Sequence, residues 1–166
     1  MKQKIIIIVL FLVVIIAIGL VLVYHFSTDD LKQDKDLAVE RAKEFTNITT
    51  VETIEWFHYI DNYYVIKGKN NKKESIIVWV PDNPKNKEIV VKKAKDGLAE
   101  EEVVSLLSNG LDNFSNDKRP TEIIDIKLGM VDNAPAYEIT YRDQKNRYSI
   151  IYIDFYKGDW YRVYNL

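Results

Sequence analysis

The apolar positions along the chain change period several times, and each change marks an element. From Ile5 to Tyr24 there is no period at all. Twenty consecutive residues, IIIIVLFLVVIIAIGLVLVY, carry no charge, and Gly19 interrupts the aliphatic run. At about 1.5 Å per residue they reach roughly 30 Å, the thickness of a bilayer's hydrocarbon core. Backbone polar groups in that slab must bond to one another, so the pattern predicts a membrane-spanning helix through Ile5, Leu10, Ile15, Leu20 and Tyr24. Lys2 and Lys4 precede the run and Asp29 and Asp30 follow it, which places the N-terminus in the cytoplasm and the rest of the chain outside. A cleaved signal peptide has a shorter core and a small-x-small cleavage site, and Leu22-Val23-Tyr24-His25-Phe26 offers none. Residues 1–26 therefore read as a cytoplasmic tip and an uncleaved anchor.

Beyond the anchor the apolar residues first recur at helical spacing. Leu31, Ala38, Ala42 and Phe45 share one face of a predicted helix over Asp29–Thr46, with Thr28 as its N-cap and Asp29 and Asp30 at the positive end of its dipole. Alternation then takes over. In Val51–Ile60 it sets Ile54, Trp56, His58 and Ile60 against Val51, Thr53, Glu55, Phe57 and Tyr59. A hairpin follows at Tyr63–Val78, and a further strand is predicted at Lys87–Lys93 after the connection Pro81–Asn86.

The same order then recurs. Leu98–Leu111 reads as a helix with Ala99, Val103, Leu106, Leu107 and Leu111 on one stripe, Glu100, Glu101 and Glu102 in its first turn, and Asn109-Gly110 as its stop. Thr121–Met130 sets Ile124, Ile126, Leu128 and Met130 against Ile123, Asp125 and Lys127. The hairpin Tyr137–Tyr152 aligns without a gap on Tyr63–Val78 at an offset of 74, so that Ser75-Ile76-Ile77 falls on Ser149-Ile150-Ile151. A last strand, Asp159–Asn165, follows the turn at Lys157-Gly158-Asp159. The predicted fold class is α+β: a transmembrane helix and two repeats, each one helix on an antiparallel sheet of about four strands. The domains are 1–26, 27–95 and 96–166. Units of about 70 residues have thin cores, so the two are expected to pack together or share a sheet.

Composition narrows the chemistry. There is no cysteine, which excludes disulfides, thiol nucleophiles and cysteine-based metal centres. An aromatic share of 12% is too high for a disordered chain. Two of the 23 Lys and Arg precede the anchor and all 25 acids follow it, leaving residues 27–166 at −4, without the overall basic charge of a nucleic-acid binder. His58 sits among Ile54, Trp56 and Ile60 and reads as a packed or hydrogen-bonded histidine rather than a general base. Ser75 and Ser149 lack a nucleophile-elbow context, and Asp112, Asn113, Asn116 and Asp117 lack EF-hand spacing. No catalytic, cofactor or metal site is expected. Lys67, Lys69, Lys72 and Lys73, followed by Lys85, Lys87, Lys92, Lys93 and Lys95, read as a solvated hairpin and a lysine-protected strand edge. The second unit is crowded with tyrosine, and alternation prevents all of it from facing one core. Tyr141, Tyr152, Tyr156, Trp160 and Tyr164 are the candidate partner surface.

The anchor Ile5–Tyr24, the helix Leu37–Phe45, the strand Thr53–Ile60, the hairpin Tyr63–Pro81 and the segment Tyr148–Tyr164 together resemble the TseB/YpmB-like proteins of Gram-positive bacteria. The resemblance spans nearly the whole chain and lies in architecture and strand texture, with no catalytic motif. It implies two cystatin-like, PepSY-like domains and a non-enzymatic regulator of cell-wall elongation at the cell membrane. The implied partner is a class B penicillin-binding transpeptidase or another wall-synthesis membrane protein. The alternative, by fold analogy, is a protease-inhibitory or ligand-binding module at the cell surface.

Overall fold

The computed structural model describes the backbone of residues 2–83 and 88–166; the side chains of residues 2, 4–9 and 22–31 also lie outside the described residues. The chain opens in one helix, α1 (Lys2–Phe45), 44 residues long. The expected break at Thr28 is absent, and Asp29 and Asp30 lie inside the helix rather than in a first turn. The physical reason is local: no Gly or Pro stands between Val21 and Phe45 to stop it. The chain divides into two compact units, Met1–Leu37 and Ala38–Leu166. In the first, the described apolar side chains from Leu10 to Val21, including Ile15 and Leu20, are exposed. Among the described residues no helix is long and apolar enough to cross a membrane; the side chains of Ile5 and Tyr24 fall outside them.

The second unit holds two four-stranded antiparallel sheets. The first has the order β1 (Ile48–His58), β2 (Asn62–Asn70), β3 (Ser75–Pro81) and β4 (Val90–Lys93). After a 3-10 turn at Ala94–Asp96 comes α2 (Glu100–Asn109), then the second sheet in the order β5 (Pro120–Val131), β6 (Ala134–Asp143), β7 (Tyr148–Asp154) and β8 (Trp160–Asn165). The sheets are separate and pack through side chains. Of the predicted strand over Lys87–Lys93, Val90–Lys93 forms β4; Lys87, like Lys85 of the preceding connection, lies outside the described residues.

The two central strands of the first sheet, β2 and β3, are buried on both faces, which explains the unbroken apolar run of β3. Tyr64, Ile66, Ile76, Val78 and Val80 pack with Ala38 and Ala42 of α1 in a small core. Tyr63, Val65, Ile77 and Trp79 face the other way and join a larger core with Val103 and Leu107 of α2 and with Tyr137, Ile139, Ile151 and Ile153 of the second sheet. Trp79 is fully buried, donates from Nε1 to the Gly129 carbonyl at 2.9 Å and meets the Phe155 ring edge-on. Gly129 and Gly97 are required by this packing, because a Cβ would overlap the rings of Phe57 and Phe155 respectively.

The repeat is real, but its register differs from the ungapped alignment. Asn70 and Asp143 close equivalent hairpins: Oδ1 of Asn70 accepts from the amides of Lys72 and Glu74, and Oδ1 of Asp143 from those of Lys145 and Arg147. Lys73 and Asn146, both at positive φ, occupy the same turn position. The Ile66↔Val78 pair corresponds to Ile139↔Ile151. The hairpins are thus related by 73 residues, and Tyr64, not Tyr63, is the counterpart of Tyr137. An offset of 74 slips the alignment by one residue and exchanges the two faces.

Bulges explain the other misassigned faces. β1 shifts register between Ile48 and Thr50 and between Val51 and Thr53; β5 does so at the equivalent places, between Pro120 and Glu122 and between Ile123 and Asp125. Each bulge inserts a residue and inverts the alternation before it. Val51 therefore joins Ile54 in the small core, and Ile123 packs inward while Ile124 is exposed.

Candidate functional site

The five candidate surface residues do not form one patch. Tyr141 is fully buried on the face shared with Ile139, where burial first and the Asp143 carboxylate second push its phenol up to about 12. Tyr152 is buried too: the Tyr59 ring lies edge-on over it at 5.0 Å, and its hydroxyl donates to Glu138 Oε2 at 2.7 Å. Neither presents a surface, because the register turns Tyr141 into the core and Tyr59 of the β1–β2 connection covers Tyr152. Trp160 is half-buried against Phe114 and donates from Nε1 to the Asp112 carbonyl at 3.0 Å. Tyr156 is exposed in the β7–β8 turn, beside Phe155, and Tyr164 is exposed on β8.

Strand register collects a different set on the outer face of the second sheet, the face opposite α2. Pairing of Arg142 with Tyr148, of Thr140 with Ile150, of Ile150 with Tyr164 and of Tyr152 with Arg162 puts all of these on one side. Tyr148 and Tyr164 are exposed, and the Arg142 guanidinium lies 5.6 Å from the centre of the Tyr148 ring. Around them stand Glu122, Asp125, Lys127 and Glu138. Exposed tyrosine with arginine is the composition of protein-recognition surfaces, since tyrosine covers a large area with few rotatable bonds and the guanidinium offers five donors in a planar fork. Tyr148, Arg142 and Arg162 were absent from the sequence-derived set; the hairpin register alone identifies them.

A second concave feature lies between β2–β3 and the start of α2, an open groove of about 530 Å³. Lys67 Nζ and Glu100 Oε1 meet in it at 2.6 Å, and the Tyr137 hydroxyl donates to the Leu98 carbonyl at 2.7 Å. Burial raises the Tyr137 phenol, and the carboxylates of Glu100, Glu101 and Glu102 add to the effect. At the start of α2, Glu102 Oε2 accepts from the Ala99 amide at 2.7 Å, satisfying a donor the helix leaves open. The predicted first-turn role of the three glutamates thus holds. Part of the basic cluster is paired: besides Lys67, Lys69 meets Glu52 at 3.3 Å and Lys93 meets Glu74 at 2.8 Å. Among the described residues no three His, Cys, Asp or Glu side chains converge to hold a metal ion.

Residues 38–81 match the family model of the cell wall elongation regulator TseB-like domain. That stretch contains the end of α1 and β1 to β3. The chain is 31% identical over 160 residues to a protein of Bacillus subtilis strain 168 described as a probable cell wall elongation regulator TseB; the match covers 95% of this chain and 94% of that one. The solved structure of the YpmB protein from Bacillus subtilis superposes with a TM-score of 0.71 at 27% identity, covering 79% of this chain and 96% of that one.

Proposed function

The chain belongs to the TseB-like family of cell wall elongation regulators, and on that premise we propose that it is a non-enzymatic, membrane-anchored regulator whose extracytoplasmic part binds a class B penicillin-binding transpeptidase. The observation that carries the binding role is the outer face of the second sheet, where Tyr148, Tyr164 and Arg142 are grouped without a covering helix. The anchor is supported by the uncharged run Ile5–Tyr24 and by the exposed apolar side chains from Leu10 to Val21. With Lys2 and Lys4 before that run, the N-terminus is cytoplasmic and both sheets are outside the cell.

The test is site-directed photocrosslinking in living cells with a benzophenone amino acid at Tyr148 or Tyr164. A transpeptidase adduct at these positions, and none from Lys72 in the β2–β3 turn of the first sheet, is the expected result. Recovery of no wall-synthesis protein from either position would refute the reading. A second reading, a ligand-binding module, is favoured by the groove beside Lys67 and Glu100. Protection of Lys67 from acylation by a cell extract, reversed on dialysis, distinguishes it.

A further inference from the structure

The corner of the first sheet formed by the end of β1 and the start of β2 carries a group of side chains that neither the core nor the outer face of the second sheet uses. Trp56 pairs across the ladder with Tyr64 and shares its face, yet Tyr64 is buried while Trp56 is 48% exposed. The His58 ring lies parallel to the indole, 7° between planes and 5.8 Å between centres. Beyond it runs a chain of hydrogen bonds. Asn62 Nδ2 donates to Asp82 Oδ2 at 3.3 Å, which leaves Asn62 Oδ1 as the acceptor for His58 Nδ1 at 2.6 Å. In neutral His58 the proton therefore sits on Nδ1, and Nε2 is an acceptor.

His58, Asn62 and Asp82, with Ile60 and Pro81, line a hollow of about 240 Å³; Trp56 stands outside it, next to His58. Its walls are set by the main chain: the Asp82 amide donates to the Asn62 carbonyl at 3.0 Å and the Tyr59 amide to the Asp61 carbonyl at 3.3 Å. Ile60, at the rim, is 73% exposed.

From this arrangement we infer that the corner is a binding site for a neutral sugar chain. A pyranose ring has an apolar C–H face, which stacks on an exposed indole, and a rim of hydroxyl donors, which need acceptors such as His58 Nε2 and the Asp82 carboxylate. The Asp82 carboxylate disfavours an anionic group in the hollow, and the neighbouring Arg41 guanidinium is engaged with the Pro81 carbonyl at 2.7 Å. A purely apolar partner leaves the His58–Asn62–Asp82 chain buried without its water. Among the described residues no three metal-ligating side chains converge here to hold a metal ion. Ile60 offers apolar surface to an acetamido methyl, and the chain is assigned as a β-1,4-linked N-acetylhexosamine glycan. That last choice draws on the proposed role at the cell wall; the sugar site itself does not.

The test is calorimetric titration of the full chain, held in a non-glycosidic detergent, with chitotetraose and separately with cellotetraose. Chitotetraose binds, W56A weakens it at least about tenfold and H58A weakens it less, while circular dichroism of both variants is unchanged. Cellotetraose binds at least about tenfold more weakly. Absence of binding by either sugar, or equal binding by wild type and W56A, overturns the site. Equal binding of the two sugars overturns the N-acetylated assignment and leaves the site standing. Photocrosslinking from Tyr148 in the W56A background reads the partner surface separately, so failure of one proposal is distinguishable from failure of the other.

Discussion

Arg162 donates a hydrogen bond from Nη1 to the hydroxyl of Tyr59 at 2.7 Å, joining the last strand of the second sheet to the β1–β2 connection of the first across 103 residues of sequence. Tyr59 in turn covers Tyr152, and Arg162 lies 3.7 Å from Asp132. The two sheets are thus tied at their polar margin as well as through the Trp79–Phe155 core. The bond is exposed, so its contribution is small. Tyr59→Phe is expected to lower unfolding stability by about 0.5–1 kcal/mol. In a double-mutant cycle with Arg162→Met, read from urea midpoints, the double variant loses less than the sum of the singles. Strict additivity would show that the contact does not couple the sheets.

The two hairpin turns make a sharper prediction, because Asn70 and Asp143 are buried and each satisfies two backbone amides. Asn70→Ala strands those donors and is expected to cost about 1–3 kcal/mol. Asp143→Asn keeps an acceptor for the amides and loses the 2.7 Å pairing with Arg147, so it destabilises less than Asp143→Ala. Lys73 sits at φ +62, and Lys73→Gly should raise the melting temperature by relieving that conformation. Thermal denaturation of the four single variants and wild type checks the order.

At Gly129 the expected change is larger. An added methyl overlaps the Phe57 ring, which is buried and cannot swing into solvent. Gly129→Ala is therefore expected to cost about 1–3 kcal/mol by overpacking, and Phe57→Leu in the same chain should recover part of it. A wild-type urea midpoint for Gly129→Ala would contradict the packing of the two sheets described above.

Acid stability depends on carboxylates whose charged forms the fold favours. Hydrogen bonds from Lys93 and then Asn70 hold Glu74 at about 2, below its ordinary 4.5. Lys145 and Ser115 hold Asp117 at about 2, against 3.8. Burial pulls Asp143 upward, but the amides and guanidinium around it outweigh this and lower it overall. Groups lowered by folding contribute stability that is complete above their unfolded values and disappears as pH falls through the folded ones. Stability should therefore fall between about pH 4.5 and 2, and Glu74→Gln combined with Asp117→Asn should flatten that slope in chemical denaturation at stepped pH.

Much of the fold was legible in the residues. The stripe of Val103 and Leu107 identified α2, and the paired strands of both units followed from alternation and turn residues. The candidate surface was legible only in part. Tyrosine density pointed to the second unit, but Tyr141 and Tyr152 are buried, and Tyr148 with Arg142 emerged only from the ladder. The failures share one cause. A bulge or a one-residue shift leaves composition and local pattern untouched while reversing which face a side chain occupies, as Ile123, Ile124 and the 73-residue offset show.

The sequence by itself determined the uncharged N-terminal run, the order of helix and strands, the duplication and the family, because these depend on residue type and on spacing within a few residues. Tertiary structure alone decided that the two sheets are separate, that the central strands of the first are buried on both faces, and which aromatic residues meet solvent. Those outcomes depend on strand register and on contacts such as Trp79 with Gly129 and Tyr59 with Arg162, between residues 50 and 103 positions apart. No local pattern specifies such contacts; they arise when the cores of both units are filled together.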